Sequence, residues 1–234
     1  IIRVATGTAL NFLPVQRAVY DNLFRAFLDN GYVLGQSFFE VAYDWRKDLG
    51  KQIGALDITI QQAISNSPTG KVNIIAHSMG GLLMREYLRR ATSTIFLNKF
   101  IIAGTPQLGS PKSFKILGYG DNLGFSWGPL EFLNIDKSKE ISQNMLGVYE
   151  LLPSRRYIQV NGGYVKNFRS GGAGILNYDQ TNQLMLGDPV DSRNALLLDI
   201  ADVFHNDLDA YQPTGPQIYN LVGCQSAETI GEFR

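Results

Sequence analysis

One cysteine stands in the 234 residues, Cys224, so the chain can close no disulfide on itself and can build no thiolate metal cluster. No metal site and no cofactor motif is read from it. Neither sign of charge is in excess: Lys plus Arg and Asp plus Glu are 21 each. Binding to a phosphate backbone draws on a basic surplus, so nucleic acid is not an expected partner. Long apolar runs are missing too. No stretch of about 18 apolar residues exists, which excludes a membrane-spanning helix of ordinary length; peripheral contact with a membrane or lipoprotein surface stays open. The opening Ile1-Ile2-Arg3-Val4 lacks the charged segment and apolar stretch of a signal peptide, and the chain is expected to be a trimmed piece.

What is present is a folding composition. Hydrophobic residues make up 44% and charged residues 18%, far from the balance that keeps chains disordered. Periodicity then separates the elements. Tyr20, Leu23, Phe24, Phe27 and Leu28 repeat at helical spacing and run into Gly31, a left-handed terminator. Phe38 to Tyr43 reads as a strand, rich in aromatic and β-branched residues. Leu56, Ile60 and Ile64 mark a helix that stops at Asn66-Ser67-Pro68-Thr69-Gly70. Lys71 to Ala76 is a short apolar run, Leu82 to Leu88 a helix, and Leu97 to Ala103 a further strand. Strands alternating with helices imply βαβ units and a mostly parallel, doubly wound sheet.

After Gly104-Thr105-Pro106 the alternation is lost for roughly a hundred residues, too long for a plain loop, so a structured insertion is expected. It carries Gly-rich turns at Gly118 to Gly124 and Gly171 to Gly174 and one clear helix from about Ser192 to Phe204. Ile218 to Val222 returns to a strand pattern. The expected organisation is a core over 1–105, a cap or lid insertion over 106–215 and a return to the core sheet over 216–234.

The stretch Ile74-Ile75-Ala76-His77-Ser78-Met79-Gly80-Gly81 places a serine between a predicted strand and a predicted helix. A serine hydroxyl is a weak nucleophile, and hydrolases expose it on such a turn, where a base reaches it and backbone N–H groups meet the oxyanion. Gly80 fills the second small-residue position of the G-x-S-x-G pattern, and Ala76 adds one methyl group at the first. Ser78 is the candidate nucleophile, and Met79 the candidate oxyanion donor through its N–H. His77 adjoins Ser78 on a strand, so its side chain points to the other side of the chain, and a structural role is expected for it.

Ala42-Tyr43-Asp44-Trp45-Arg46, followed about 30 residues later by His77-Ser78-Met79-Gly80-Gly81, resembles the lecithin:cholesterol acyltransferase and lysosomal phospholipase A2 family, of α/β-hydrolase fold. Further blocks keep that family's order: Gly104-Thr105-Pro106-Gln107-Leu108-Gly109-Ser110, then Gly120-Asp121-Asn122-Leu123-Gly124, then Leu151-Leu152-Pro153-Ser154-Arg155. The resemblance implies a Ser-Asp-His enzyme that takes an acyl group from a glycerolipid and passes it to water or an alcohol, and a mobile lid around Gly118 to Leu133. The apolar side chains there, Phe114, Ile116, Leu117, Tyr119 and Trp127 among them, suit that role and equally suit plain cap packing. For Tyr43 to Arg46, an Asp-Arg clamp at a strand end is the expected reading.

The acid and the histidine of such enzymes follow the serine on loops after later strands. Beyond Val222 the sequence holds Glu228 and Glu232 but no Asp and no His. Ser78, Asp191 and His205 keep the required order, yet His205 is expected at the polar end of a helix within the insertion. Acid and base are therefore expected outside the 234 residues, as is the strand that supplies a second oxyanion donor, and the chain alone is expected to be inactive. Beside a lipid acyl hydrolase or acyltransferase, a general carboxylesterase or triacylglycerol lipase and a non-catalytic hydrolase-fold lipid-binding module stay open.

Overall fold

Phe24 and Phe27, one turn apart, meet the same partner: both rings pack on Phe38, at 5.1 and 4.9 Å between centroids. That aromatic contact anchors helix α1 (Asp21–Asp29), which ends at Asn30 and at Gly31 with φ +83°. The structure, a computed structural model, describes residues 20–120, 135–167, 174–187 and 194–223. Ile1 to Pro14, Asp191, Cys224 and most of the expected lid from Asp121 onward lie outside the described residues.

The sheet is parallel. Strand β1 (Val72–His77) pairs with β2 (Leu97–Ala103), and β2 pairs with the last strand, Gln217–Leu221. Between β1 and β2 runs helix α3 (Met79–Arg90), which closes a βαβ unit, and before β1 comes α2 (Ile53–Asn66). Leu56 and Ile60 of α2, Leu82, Leu83 and Met84 of α3, and Phe100 and Ile102 of β2 are buried around this sheet. At 25 cal/mol per Å², such side chains contribute roughly 2 kcal/mol each, which is why the apolar spacing sets the layer order. His77, Ala103 and Leu221 stand in register at one edge, so all three strands deliver their following turns to the same end.

From β2 the chain leaves the sheet and returns only at its neighbour. The intervening elements are α4 (Pro111–Tyr119), α5 (Ile135–Ser142), α6 (Leu146–Tyr149), α7 (Arg155–Asn161), a two-stranded antiparallel ribbon of β3 (Lys166–Asn167) and β4 (Gly174–Ile175), α8 (Tyr178–Leu186) and α9 (Ala195–Ala210). The strand Gln217–Leu221 is β5. The chain divides into two compact units, the first including 50–105 and 213–222, the second including 45–49 and 106–212. The second unit has its own core, in which Phe114, Leu117, Tyr149, Leu152, Met185 and Leu198 are buried. Gln143 and Tyr149 complete it with polar bonds: the Gln143 amide donates to Leu117 O at 3.0 Å, and the Tyr149 hydroxyl donates to Gln143 O at 3.0 Å.

Two sequence expectations need correction. Phe38 to Tyr43 forms no strand; Phe38 makes one isolated bridge with Leu34. A strand exists only through a partner's ladder, and among the described residues none lies along this segment. The last helix, expected to end near Phe204, continues as α9 to Ala210. Leu198, Ala201, His205 and Leu208 recur at helical spacing and are all buried, so the apolar stripe carries the helix past Phe204.

Candidate active site

β1 ends at His77 and α3 begins at Met79, leaving Ser78 alone to turn the chain. It does so at φ +53°, ψ −132°, the one non-glycine residue with positive φ among the described residues. A side chain there costs about 1–3 kcal/mol, a strain that persists only where surrounding bonds overdetermine it. Those bonds are present. Ser78 N–H donates to Ala103 O at 2.9 Å, and Ser78 O accepts from Gly81 N–H at 3.0 Å and from the Thr105 hydroxyl at 2.8 Å. The turn is thus tied both to α3 and to the end of β2.

The small residues of the motif have visible reasons. Ala76 is 3% exposed beneath the turn. At Gly81 a Cβ would stand 2.1 Å from Thr105 Oγ1 and 2.8 Å from Thr105 Cβ. Met79 is the first residue of α3, and its side chain is buried. An N–H at that position has no acceptor within its own helix, and the helix dipole adds partial positive charge there. Arg89 and Arg90 complement the dipole at the other end, and both pair with the buried Glu86.

His77 is engaged elsewhere: its Nδ1 is 2.8 Å from the Tyr20 hydroxyl, and the rings meet edge to face at 5.7 Å. A general base needs a carboxylate or its equivalent on one nitrogen and the nucleophile on the other. His77 carries a phenol instead, whose pKa burial pushes up. His205, the other histidine, is 3% exposed within α9, its ring edge-on to Phe204, and belongs to the second unit. It is a core residue, not the helix-end residue expected from the sequence.

The remaining motif blocks that lie within the described residues make contacts of their own. Leu49 N–H donates to both oxygens of the buried Glu150 carboxylate, at 3.1 and 3.3 Å, and Gly147 N–H donates to Arg46 O at 3.2 Å. The segment after Asp44 is therefore fastened to α6. Leu108-Gly109-Ser110 and Leu151 to Ser154 lie strapped together, Ser110 N–H on Leu151 O and Ser154 N–H on Leu108 O, each at 2.8 Å. Gly109, at φ +91°, admits this approach, since a Cβ there would meet Leu152 O at 2.1 Å. Ser154 then caps α7, accepting from Tyr157 N–H.

A cavity of about 540 Å³ runs along β1 in the first unit and reaches Ala76 and Gly80 beside the turn. Its wall includes β1 from Val72 to Ala76, on a strand that, among the described residues, pairs only with β2. Strand backbone donors and acceptors demand polar partners, which an acyl chain does not offer. Among the described residues no group of three or more His, Cys, Asp or Glu is placed to hold a metal, and no helix is long and apolar enough to cross a membrane.

The sequence pointed to Ser78 and Met79 but not to Thr105 as the partner of Ser78 or Tyr20 as the partner of His77. The readable trace of Thr105 is Gly81: glycine in a helix costs about 1 kcal/mol against alanine and signals a close neighbour.

The chain is 27% identical to the lysosomal phospholipase A and acyltransferase of Canis lupus familiaris, over 49% of this chain and 30% of that protein. It is 31% identical to the phosphatidylcholine-sterol acyltransferase of Gallus gallus, over 42% and 25%. With the phospholipase A(1) LCAT3 of Arabidopsis thaliana it shares 35% identity, over 35% and 19%. The matched region is therefore less than a third of each relative's length. A chain of the solved Tle4-Tli4 complex aligns over 74% of this chain and 42% of its own at 18% identity and a TM-score of 0.49. Residues 2–193 match the family model described as lecithin:cholesterol acyltransferase, and the chain, with its parallel sheet and strand–serine–helix turn, belongs to that family.

Proposed function

We propose that this chain carries the nucleophile of a serine-dependent lipid acyl hydrolase or acyltransferase, with Ser78 as nucleophile and the Met79 N–H as oxyanion donor. The observation that carries the reading is the left-handed Ser78 between β1 and α3 in a chain of this family. Relatives named phospholipase and acyltransferase support a phospholipid ester as acyl donor.

In the first step Ser78 Oγ bonds to the acyl carbon as its proton passes to a base. The ester C–O bond breaks, and the leaving lysolipid oxygen takes that proton. In the second, the oxygen of water or an alcohol bonds to the acyl carbon as its proton passes to the base, the bond between that carbon and Ser78 Oγ breaks, and the base returns the proton to Ser78 Oγ. Acid and base are assigned to the chain that follows β5, because β5 ends at the same edge as Ser78 and the order serine, acid, histidine is that of the fold. The unit containing 106–212 is assigned the role of cap.

A fluorophosphonate probe applied to the whole protein tests the reading. Labelling lost in Ser78→Ala is expected; absence of labelling in the wild type turns the assignment to a non-catalytic lipid-binding module. Product analysis with a phospholipid donor, with and without a long-chain alcohol, separates hydrolysis from transfer. Turnover of triacylglycerol with none of phospholipid would replace the substrate class.

A further inference from the structure

We propose that Thr105 is a positioning residue that sets the direction of the oxyanion donor, acting through the peptide bond between Ser78 and Met79. The inference rests on the reading of Ser78 as nucleophile and Met79 N–H as donor. The Thr105 hydroxyl gives its proton to Ser78 O at 2.8 Å. That oxygen and the Met79 N–H belong to one planar trans peptide, on which C=O and N–H point in opposite directions. Holding the oxygen therefore aims the N–H. A proton donated to the carbonyl also polarises the amide, and hydrogen bonds in series strengthen one another.

The rest of the turn is arranged around this contact. Ser78 O also accepts from Gly81 N–H, which alone leaves the plane free to tilt about one bond; the Thr105 hydroxyl supplies the second point. Gly81 has no side chain because Thr105 fills the space, with its Oγ1, Cγ2 and Cβ at 2.1, 2.6 and 2.8 Å from a built Cβ. Thr105 is itself fixed at the end of β2, where Gly104 N–H donates to Leu221 O at 3.0 Å and Ser78 N–H to Ala103 O at 2.9 Å. The donor's aim is thus referred to the sheet and not to the helix alone.

Thr105→Val keeps the shape and removes the proton; Thr105→Ser keeps the proton and removes a methyl group. In the whole protein, Thr105→Val is expected to lower both the fluorophosphonate acylation rate and kcat about tenfold, less than the loss of an entire oxyanion donor. KM should stay within about twofold, because the oxyanion develops only in the transition state. Thr105→Ser should recover most of the rate. The Met79 amide resonance of the isotope-labelled protein should move in Thr105→Val and not in Thr105→Ser. Full rate in Thr105→Val with an unmoved resonance overturns the inference. So does a loss in Thr105→Val that Thr105→Ser shares in full. Labelling that survives Ser78→Ala overturns the nucleophile reading and this inference with it, whereas labelling lost in Ser78→Ala with Thr105→Val unaffected removes the inference alone.

Discussion

Gly81→Ala sets two opposing effects against each other, and the structure decides their sign. Gly81 lies in the first turn of α3, where alanine gains up to about 1 kcal/mol over glycine by helix propensity. Against it stands the Thr105 Cβ at 2.8 Å, an atom fixed to its backbone that no side-chain rotation removes. Overpacking of this kind costs about 1–3 kcal/mol. The displaced hydroxyl gives up its bond to Ser78 O, about 1 kcal/mol more. The sum is a loss of about 1–3 kcal/mol. Gly54, within α2 and with nothing within 4 Å of a built Cβ, is the control, and Gly54→Ala should stabilise by about 0.5–1 kcal/mol. Urea unfolding of the two variants beside the wild type, followed by circular dichroism, measures both. If Gly81→Ala proves as stabilising as Gly54→Ala, the packing of Thr105 against α3 is wrong.

Ser78→Gly should be more stable than Ser78→Ala by about 1 kcal/mol, since glycine releases the strain at φ +53° and alanine does not; equal urea midpoints would deny that the turn is strained. Alkaline pH should unfold the protein through its tyrosines. Burial raises the pKa of Tyr164, Tyr87 and Tyr178, and hydrogen bonds to Asp57 and Asp202 raise the last two further. In the unfolded chain these phenols titrate near 10, so their contribution is complete below that pH and falls as pH rises above it, where the unfolded state binds fewer protons. Thermal melts across pH 8 to about 11, with tyrosinate absorbance, should show falling Tm beyond about pH 10; a flat Tm there would contradict the burial.

The parts of the fold legible in the sequence are those whose periodicity is local. Lys71 to Ala76, Leu82 to Leu88 and Leu97 to Ala103 became β1, α3 and β2 with ends displaced by at most a few residues. Phe38 to Tyr43 has an equally good strand pattern, but pairing is a property of a neighbour, which no pattern reveals. Helices α4 to α8 each span nine residues or fewer, and the buried Leu146, Val148, Tyr149 and Leu152 follow no single period, so these helices went unread. At the site, Ser78 and Met79 announce themselves by adjacency to glycines. Thr105 and Tyr20 act on Ser78 and His77 across 27 and 57 residues, and the Thr105 bond is to a backbone oxygen, which leaves no side-chain signature.

β2 and β5 are immediate neighbours although 106–212 separates them in sequence, and Thr94 already pins the point of return by donating to Thr214 O at 3.1 Å. For protein engineering, that makes the intervening chain a cassette. Two adjacent parallel strands need a connection of only about a dozen residues. A short helical crossover in place of 106–212 would preserve the ladder of three strands, and a homologous segment would exchange α4 to α9 in one splice. In either chimera Ser78 keeps its footing, since Ala103, Gly81 and Thr105 all lie upstream of the cut.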